Sequence, residues 1–294
     1  MEKGYPQTNL APIKTFQETF GGFLPKLESF YADPDAFAVE PFRIFGNLYY
    51  VGDAKVCMHL VDTGDGLILF DSGFSHTYHM LLDSIRKLGF DPKDIRYVIT
   101  SHGHFDHFGG ADRLRDAYGC KVLMSRVETD LLREMPERAL CHLSAMEGDT
   151  VAWPDKTLED GEIFTLGNTS IRCVIAPGHT MGTMAFFFNV TDGEKTLRCG
   201  YWGGVGFLTT YKEYNRMYSL PENKCALMKE SIEKLRKENV DVVIGNHPYH
   251  NCTLEKREYE LSHPEENPFV DSTTWRIFLD SLSERQQEFE ALGY

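Results

Sequence analysis

Paired cysteines, a basic patch, a long apolar run and a Gly/Ser linker are all missing from this 294-residue chain. Its cysteines stand at 57, 120, 141, 173, 199, 225 and 252, an odd number with no C-x-x-C spacing. That pattern excludes a disulfide framework or a zinc ribbon and points to reduced, buried thiols. Lysine and arginine number 30 against 44 acidic residues, for a formal charge of −14, and the cations are scattered along the chain. Nucleic acid and anionic membrane surfaces are thereby excluded as partners, since phosphate contacts require clustered positive charge. No segment reaches the ~20 apolar residues of a membrane-spanning helix. The opening MEKGYPQTNLAPIKTF lacks the apolar core of a secretory leader, so the expectation is a cytoplasmic location for the sequence as it stands, with export open for a chain processed from a longer precursor. No G-x-S-x-G elbow is present to support a serine-hydrolase route.

What is present is a continuous succession of strand and helix patterns. RIFGNLYYVG (43–52), KVCMHLVDT (55–63) and LILFDSG (67–73) read as strands, followed by a helix over roughly 76–88, the strand RYVIT ending at Thr100, a helix over 110–118, a strand over 121–124 and a helix over 126–135. A second half opens with GEIFTL and SIRCVIA joined by a tight GNTS turn, continues with the strands MAFFFNV and KTLRCG, then the helix PENKCALMKESIEKLRKEN and the strand DVVIGNH. Strand-then-helix order in both halves predicts an α/β sandwich with helices on the outer faces of two sheets. No linker or repeat interrupts residues 40–262, which predicts one catalytic domain there, preceded by an N-terminal extension (1–39) and followed by a helical C-terminal extension (263–294). The aromatic segment FQETFGGFLPKLESFYADPDAF is a candidate lid over a cleft or a cap on a partner chain. Trp275, Phe278, Leu279 and Leu282 recur at helical spacing and predict a docked amphipathic helix.

The stretch SHGHFDHFGG (101–110) crowds His102, His104, Asp106 and His107 directly after an apolar strand. Strand ends aim the loop residues that follow them, which is where α/β folds place their chemistry. In extended chain His102 and His104 point the same way, while Asp106 and His107 face a second point nearby. Neutral imidazoles with a carboxylate suit zinc. His179 in APGHTMGT and His247 in IGNHPYH each follow another strand, so six donors from three strand ends suffice for two metal ions with positions left for water.

On these residues the chain resembles the metallo-β-lactamase superfamily, whose H-x-H-x-D-H signature stands here as His102, His104, Asp106 and His107. FDSG, SHGHFDHFGG, DGEIFTLG, PGHTMGT and NHP occur in the family's order over roughly residues 40–262. The resemblance implies an αββα four-layer sandwich with two zinc ions per chain in a cleft at the sheet edges. It implies that His102, His104 and His179 hold one zinc, that Asp106, His107 and His247 hold the other, and that Asp71 supports a ligating histidine from behind. Gly204 aligns where many relatives carry a bridging aspartate, and the pattern without the bridge looks like the third metallo-β-lactamase subclass. An alternative alignment brings Cys199 or Tyr201 to the metal.

The implied chemistry is attack of a metal-bound hydroxide on a carbonyl, with Asp106 orienting the hydroxide and passing a proton to the leaving group. The implied substrate is a small molecule with a β-lactam-type amide, turned over weakly, because GGVGFLTT offers Thr209 and Thr210 but no cation to meet a substrate carboxylate. A cytoplasmic lactone, thioester or other amide hydrolase is the first alternative. An iron-dependent redox enzyme of the same fold is the second, although Gly103 replaces the glutamate of flavodiiron proteins and Gly204 the aspartate of persulfide dioxygenases; a non-catalytic zinc protein is the third. Tyr201, Trp202, Thr209, Thr210 and His250 are candidate pocket residues. Tyr249 stands beside His250, His76 and His79 are helix positions near the cleft mouth, and His59 is a packed strand histidine. Oligomeric state is not readable from the sequence.

Overall fold

Alternation of apolar side chains along the strands is what builds the layers. In the computed structural model, which describes residues 4–294 and their side chains except those of residues 23–26, strands β1 (Phe42–Phe45), β2 (Leu48–Tyr50), β3 (His59–Asp62), β4 (Leu67–Phe70), β5 (Ile95–Ile99), β6 (Lys121–Ser125) and β7 (Lys156–Leu158) form one sheet in chain order. Strands β8 (Ile163–Leu166), β9 (Thr169–Ile175), β10 (Met184–Thr191), β11 (Thr196–Trp202) and β12 (Val242–Gly245) form a second, also with chain neighbours adjacent. The helices are α1 (Phe16–Gly21), α2 (Phe23–Ala32), α3 (Tyr78–Lys87), α4 (Phe105–Phe108), α5 (Ala111–Tyr118), α6 (Arg126–Glu134), α7 (Lys212–Met217), α8 (Lys224–Leu235), α9 (Thr253–Ser262) and α10 (Thr274–Ala291). Residues 1–3 of the expected N-terminal extension lie outside the described residues.

Successive strand residues point to opposite faces, and here both faces are covered. Ile68, Phe70, Ile99 and Leu123 of the first sheet meet Ile171, Cys173, Phe186, Phe188, Cys199 and Ile244 of the second in a central core. Their neighbours Leu67, Leu69, Val98 and Val122 face outward, under Leu81, Ile85, Leu114 and Leu132 of α3, α5 and α6. On the far side Val174, Ala185, Phe187, Trp202 and Val243 lie under Met228, Ile232, Phe278 and Leu282 of α8 and α10. This is the four-layer αββα order. Each fully buried Phe or Leu in it is worth roughly 1.5–3 kcal/mol relative to exposure, and burial on both faces is why the strands read as unbroken apolar runs.

Two local expectations change and one strand was not foreseen. RIFGNLYYVG is two strands and not one: Gly46 takes φ +54 and Phe42 pairs back onto Tyr50 as a hairpin. KVCMHLVDT becomes regular strand only from His59. The three-residue strand β7 was too short to show any periodicity. The segment carrying α2 packs on the outer face of the first sheet, with Phe30 fully buried in the same apolar cluster as Phe74 and Leu69. No helix among the described residues is long and apolar enough to cross a membrane, and all seven cysteines are free thiols.

Alternation along β11 also decides three of the sequence-selected residues. Cys199 and Tyr201 point into the central core, whereas Trp202 points outward beneath α8 and α10 and donates Nε1–H to the Ala176 carbonyl at 3.2 Å. Trp202 is therefore an outer-layer residue and not a cleft wall. Trp202→Phe, which leaves that carbonyl unpaired, should cost about 1–3 kcal/mol and lower the melting temperature by several degrees while metal content stays that of the parent; loss of metal at unchanged stability would place the indole in the site instead.

Candidate metal centre

The sheets bring their chemistry to one edge because β4 and β5 run parallel, as do β11 and β12. Asp71 follows β4, the segment 101–107 follows β5, His179 follows β9, Gly203 follows β11 and His247 follows β12. Two groups of three donors result: His102, His104 and His179, and Asp106, His107 and His247, the ligand atoms in each group lying within 4.8 Å of one another. Nδ1 of His104 stands 3.0 Å from Nε2 of His102 and 3.1 Å from Nε2 of His179. In the second group Oδ2 of Asp106 is 3.4 Å from Nε2 of His107 and 3.7 Å from Nε2 of His247. The rings of His102 and His107 approach to 4.2 Å between centroids, so the groups are neighbours.

Four of the five outward nitrogens have described partners. Nδ1 of His102 donates to the Gly203 carbonyl at 2.7 Å, that of His179 to Gly206 at 2.8 Å and that of His247 to Lys55 at 2.7 Å. Nδ1 of His107 faces Oδ2 of Asp71 at 3.0 Å. A proton fixed on Nδ1 leaves the Nε2 lone pair pointing inward, the arrangement metal-ligating histidines adopt. Nε2 of His107 is buried and has no hydrogen-bond partner, an orphan that a metal ion would satisfy. All six donors therefore fit a divalent ion of borderline softness such as zinc.

Asp71 anchors the second group. It sits at φ +57, a left-handed conformation costly for a residue with a Cβ, and it accepts from Ser101 N at 2.7 Å, Ser101 Oγ at 2.9 Å, His107 Nδ1 and the Tyr201 hydroxyl at 2.5 Å. Tyr201 thus reaches Asp71 and not the donors themselves, and Cys199 stays in the core; neither joins the two groups. At Gly204 an added Cβ would stand 2.9 Å from the His179 ring, so that ring leaves no room for a side chain at this position.

The other sequence-selected pocket residues are turned inward. Thr209 and Thr210 are each 1% exposed; the Thr209 hydroxyl bonds the His179 carbonyl and the Thr210 hydroxyl the Phe207 carbonyl at 2.7 Å. His250 is buried behind His247 with Nδ1 on Asn246 Oδ1 at 2.8 Å, and Asn246 in turn donates to Gly203 O at 2.9 Å. These residues brace the ligand loops and present no surface to a substrate. At the rim, Tyr249 is half exposed and stacks on His247 with centroids 5.4 Å apart. His76 packs among Phe30, Tyr31 and Phe74, His79 is exposed beside Asp35, and His59 is buried between Tyr50 and Tyr201. Sequence reasoning missed two buried charges, Glu128 and Lys224, that reach the ligand loops from α6 and α8; a helix face gives no sign of which loop it will meet.

Burial makes cations of His102, His104 and His179 unfavourable, with the His104 pKa held down at about 3. For His107 burial acts in the same direction, but the carboxylates of Asp106 and Asp71 outweigh it and raise the pKa to about 10. A raised histidine pKa contributes stability that is complete below the unfolded value and lost as pH climbs through about 10. At neutral pH, then, an ion entering the Asp106 group must expel a proton from His107, whereas one entering the three-histidine group expels none. Calorimetry in two buffers of different ionisation enthalpy should find about one proton released for the Asp106 group, its affinity rising about tenfold per pH unit up to the His107 pKa; equal proton release by both groups would contradict the assignment.

Residues 52–191 match the family described as the metallo-beta-lactamase superfamily. The native FEZ-1 metallo-beta-lactamase from Legionella gormanii superposes with a TM-score of 0.75 at 28% identity, over 87% of this chain and 96% of that one. BJP-1, a subclass B3 metallo-beta-lactamase of Bradyrhizobium japonicum, superposes with a TM-score of 0.72 at 25% identity, over 87% and 97%. A hydroxyacylglutathione hydrolase from Methylococcus capsulatus is 34% identical over 106 residues, 35% of this chain, which spans about a third (32%) of that relative's length. The signature histidines, the two donor groups at the sheet edge and the αββα layering agree with that match: residues 52–191 of this chain are a metallo-beta-lactamase superfamily domain.

Proposed function

We propose that the protein is a zinc-dependent hydrolase of carbonyl substrates that holds two ions, one in each donor group, and that it opens β-lactam-type amides inefficiently. The observation that carries the reading is the pair of adjacent donor groups, one purely imidazole and one containing a carboxylate. Bound there, zinc would supply Lewis acidity, polarising a carbonyl and acidifying a water.

The chain's own residues do the rest. Asp106 is the one carboxylate among the six donors, and His107 and His247 hold its pKa well below the ordinary carboxylate range even though burial opposes ionisation. It serves as an acceptor that orients the attacking water and relays the proton to the departing nitrogen. Asp71 keeps His107 in one tautomer throughout. Tyr249, stacked on His247, offers an apolar wall at the rim. Tyr31 of the α2 segment packs on His76 and donates its hydroxyl to the Leu143 carbonyl at 2.5 Å.

Substrate anchoring is weak in this arrangement. The only cation reaching the loop after β11 among the described hydrogen bonds is Lys224, and its ammonium is spent on the carbonyls of His179 and Thr209. With Thr209 and Thr210 buried as well, nothing there meets a substrate carboxylate. A thioester or lactone hydrolase is the second reading, favoured by the local similarity to a relative named as a hydroxyacylglutathione hydrolase.

The test is a hydrolysis screen of the zinc-loaded protein against penicillins, cephalosporins, carbapenems, lactones and acyl thioesters. Turnover of a chromogenic cephalosporin should be measurable, abolished by chelator and by His179→Ala, and limited by a high KM, the mark of lost binding with chemistry retained. Thr209→Ala should alter KM little. Saturation by penicillins at micromolar concentration would show an efficient lactamase, and chelator-resistant activity would remove the metal from the mechanism.

A further inference from the structure

Glu128 and Lys224 take no part in the chemistry above, yet both close on the three-histidine group. Glu128, in the first turn of α6, is 4% exposed, and its two carboxylate oxygens each accept a backbone N–H: Oε1 from Gly103 at 2.8 Å and Oε2 from Gly182 at 2.8 Å. Gly103 lies between His102 and His104, and Gly182 three residues beyond His179. One carboxylate therefore spans the two loops that carry all three imidazoles. A Cβ on Gly103 would come within 2.8 Å of Glu128 Cγ and one on Gly182 within 2.5 Å of its Cβ, so both backbones run directly against this side chain.

Lys224, the first residue of α8, is fully buried, and its ammonium donates to the His179 carbonyl at 2.9 Å and the Thr209 carbonyl at 2.6 Å. Thr209 returns its hydroxyl to His179. Taking a carboxylate and an ammonium out of water costs several kcal/mol per ion, and apolar side chains would fill the same space without that cost. Charge-assisted bonds to backbone groups are, however, the strong and directional kind. The Asp106 group is braced differently, through Asp71 and the Lys55 carbonyl, and neither Glu128 nor Lys224 has a described hydrogen bond to it.

We infer that Glu128 and Lys224 are positioning residues for the His102, His104 and His179 group, fixing the backbone of its loops so that the three inward nitrogens converge before an ion arrives. The inference rests on those three histidines being a metal site. Their rings are oriented from one side by Gly203 and Gly206; Glu128 and Lys224 locate the chain that bears them from the other.

The test compares zinc affinity, by competition with a chromophoric chelator, and the cobalt(II) ligand-field spectrum for the parent protein, Glu128→Gln and Lys224→Met. Glutamine has one acceptor oxygen and cannot take both N–H groups; methionine keeps the stem and removes the donors. The three-histidine group should bind 10- to 100-fold more weakly in each variant, as loss of an outer support generally produces, with an altered cobalt spectrum. The Asp106 group should stay within about twofold, a selectivity that general destabilisation would not give. A parent protein whose zinc binding is untouched by His179→Ala would overturn the metal-site reading and the inference with it. Normal binding by the parent together with folded variants that match it would overturn the positioning role alone. Should Glu128→Gln fail to fold, Lys224→Met carries the same expected loss; failure of both to fold as metal-free proteins would also overturn the inference, because the two residues would then hold the whole domain and not this group.

Discussion

An imidazole nitrogen can face an ion only if the opposite nitrogen keeps its proton, and in a buried site that proton needs an acceptor. Most of the architecture around the cleft answers this one requirement. Gly203, Gly206 and Lys55 supply backbone carbonyls to His102, His179 and His247, and Asp71 supplies a carboxylate to His107. Asp71 and Gly203 stand directly where β4 and β11 end, so the parallel pairs β4–β5 and β11–β12 place two of these acceptors, while Gly206 and Lys55 reach in from loops. Asp71 shows the cost: it sits in left-handed backbone, held there by four donors.

Much of this was legible in the sequence because it is local or periodic. The clustering of His102, His104, Asp106 and His107 after an apolar strand needs no tertiary knowledge to be noticed, and His179 and His247 repeat the placement. The layered fold followed from strand-helix succession. What the sequence hid is long-range. Tyr201 and Trp202 are adjacent aromatics, and only the register of β11 decides that one meets Asp71 and the other the outer helices. Thr209 and Thr210 read as pocket hydroxyls because a polar residue in a Gly-rich loop is usually exposed, and here both are buried. Glu128 sits in RVETDLLRE, which reads as an ordinary solvated helix start; its burial comes from loops that arrive from residues 103 and 182.

Substrate choice is the part that the fold determines least, since one scaffold of this kind carries many chemistries on its loops. Here the loop after β11 is committed to bracing His179, which ties precision at the metal to poverty of anchoring nearby. Gly204 adds to the same balance, because its backbone lies against the His179 ring and leaves no room for a side chain there.

The donors span residues 102 to 247, and their convergence depends on both sheets being docked. Kinetically this separates capture from folding. The nascent or unfolded chain carries only the short run from His102 to His107 as a loose chelating peptide, while the high-affinity geometry is assembled from non-local contacts whose closure is slow. On the proposed reading a metal ion would lock the finished domain more than template it, because the run from His102 to His107 holds only part of each group and His179 and His247 join it through non-local contacts.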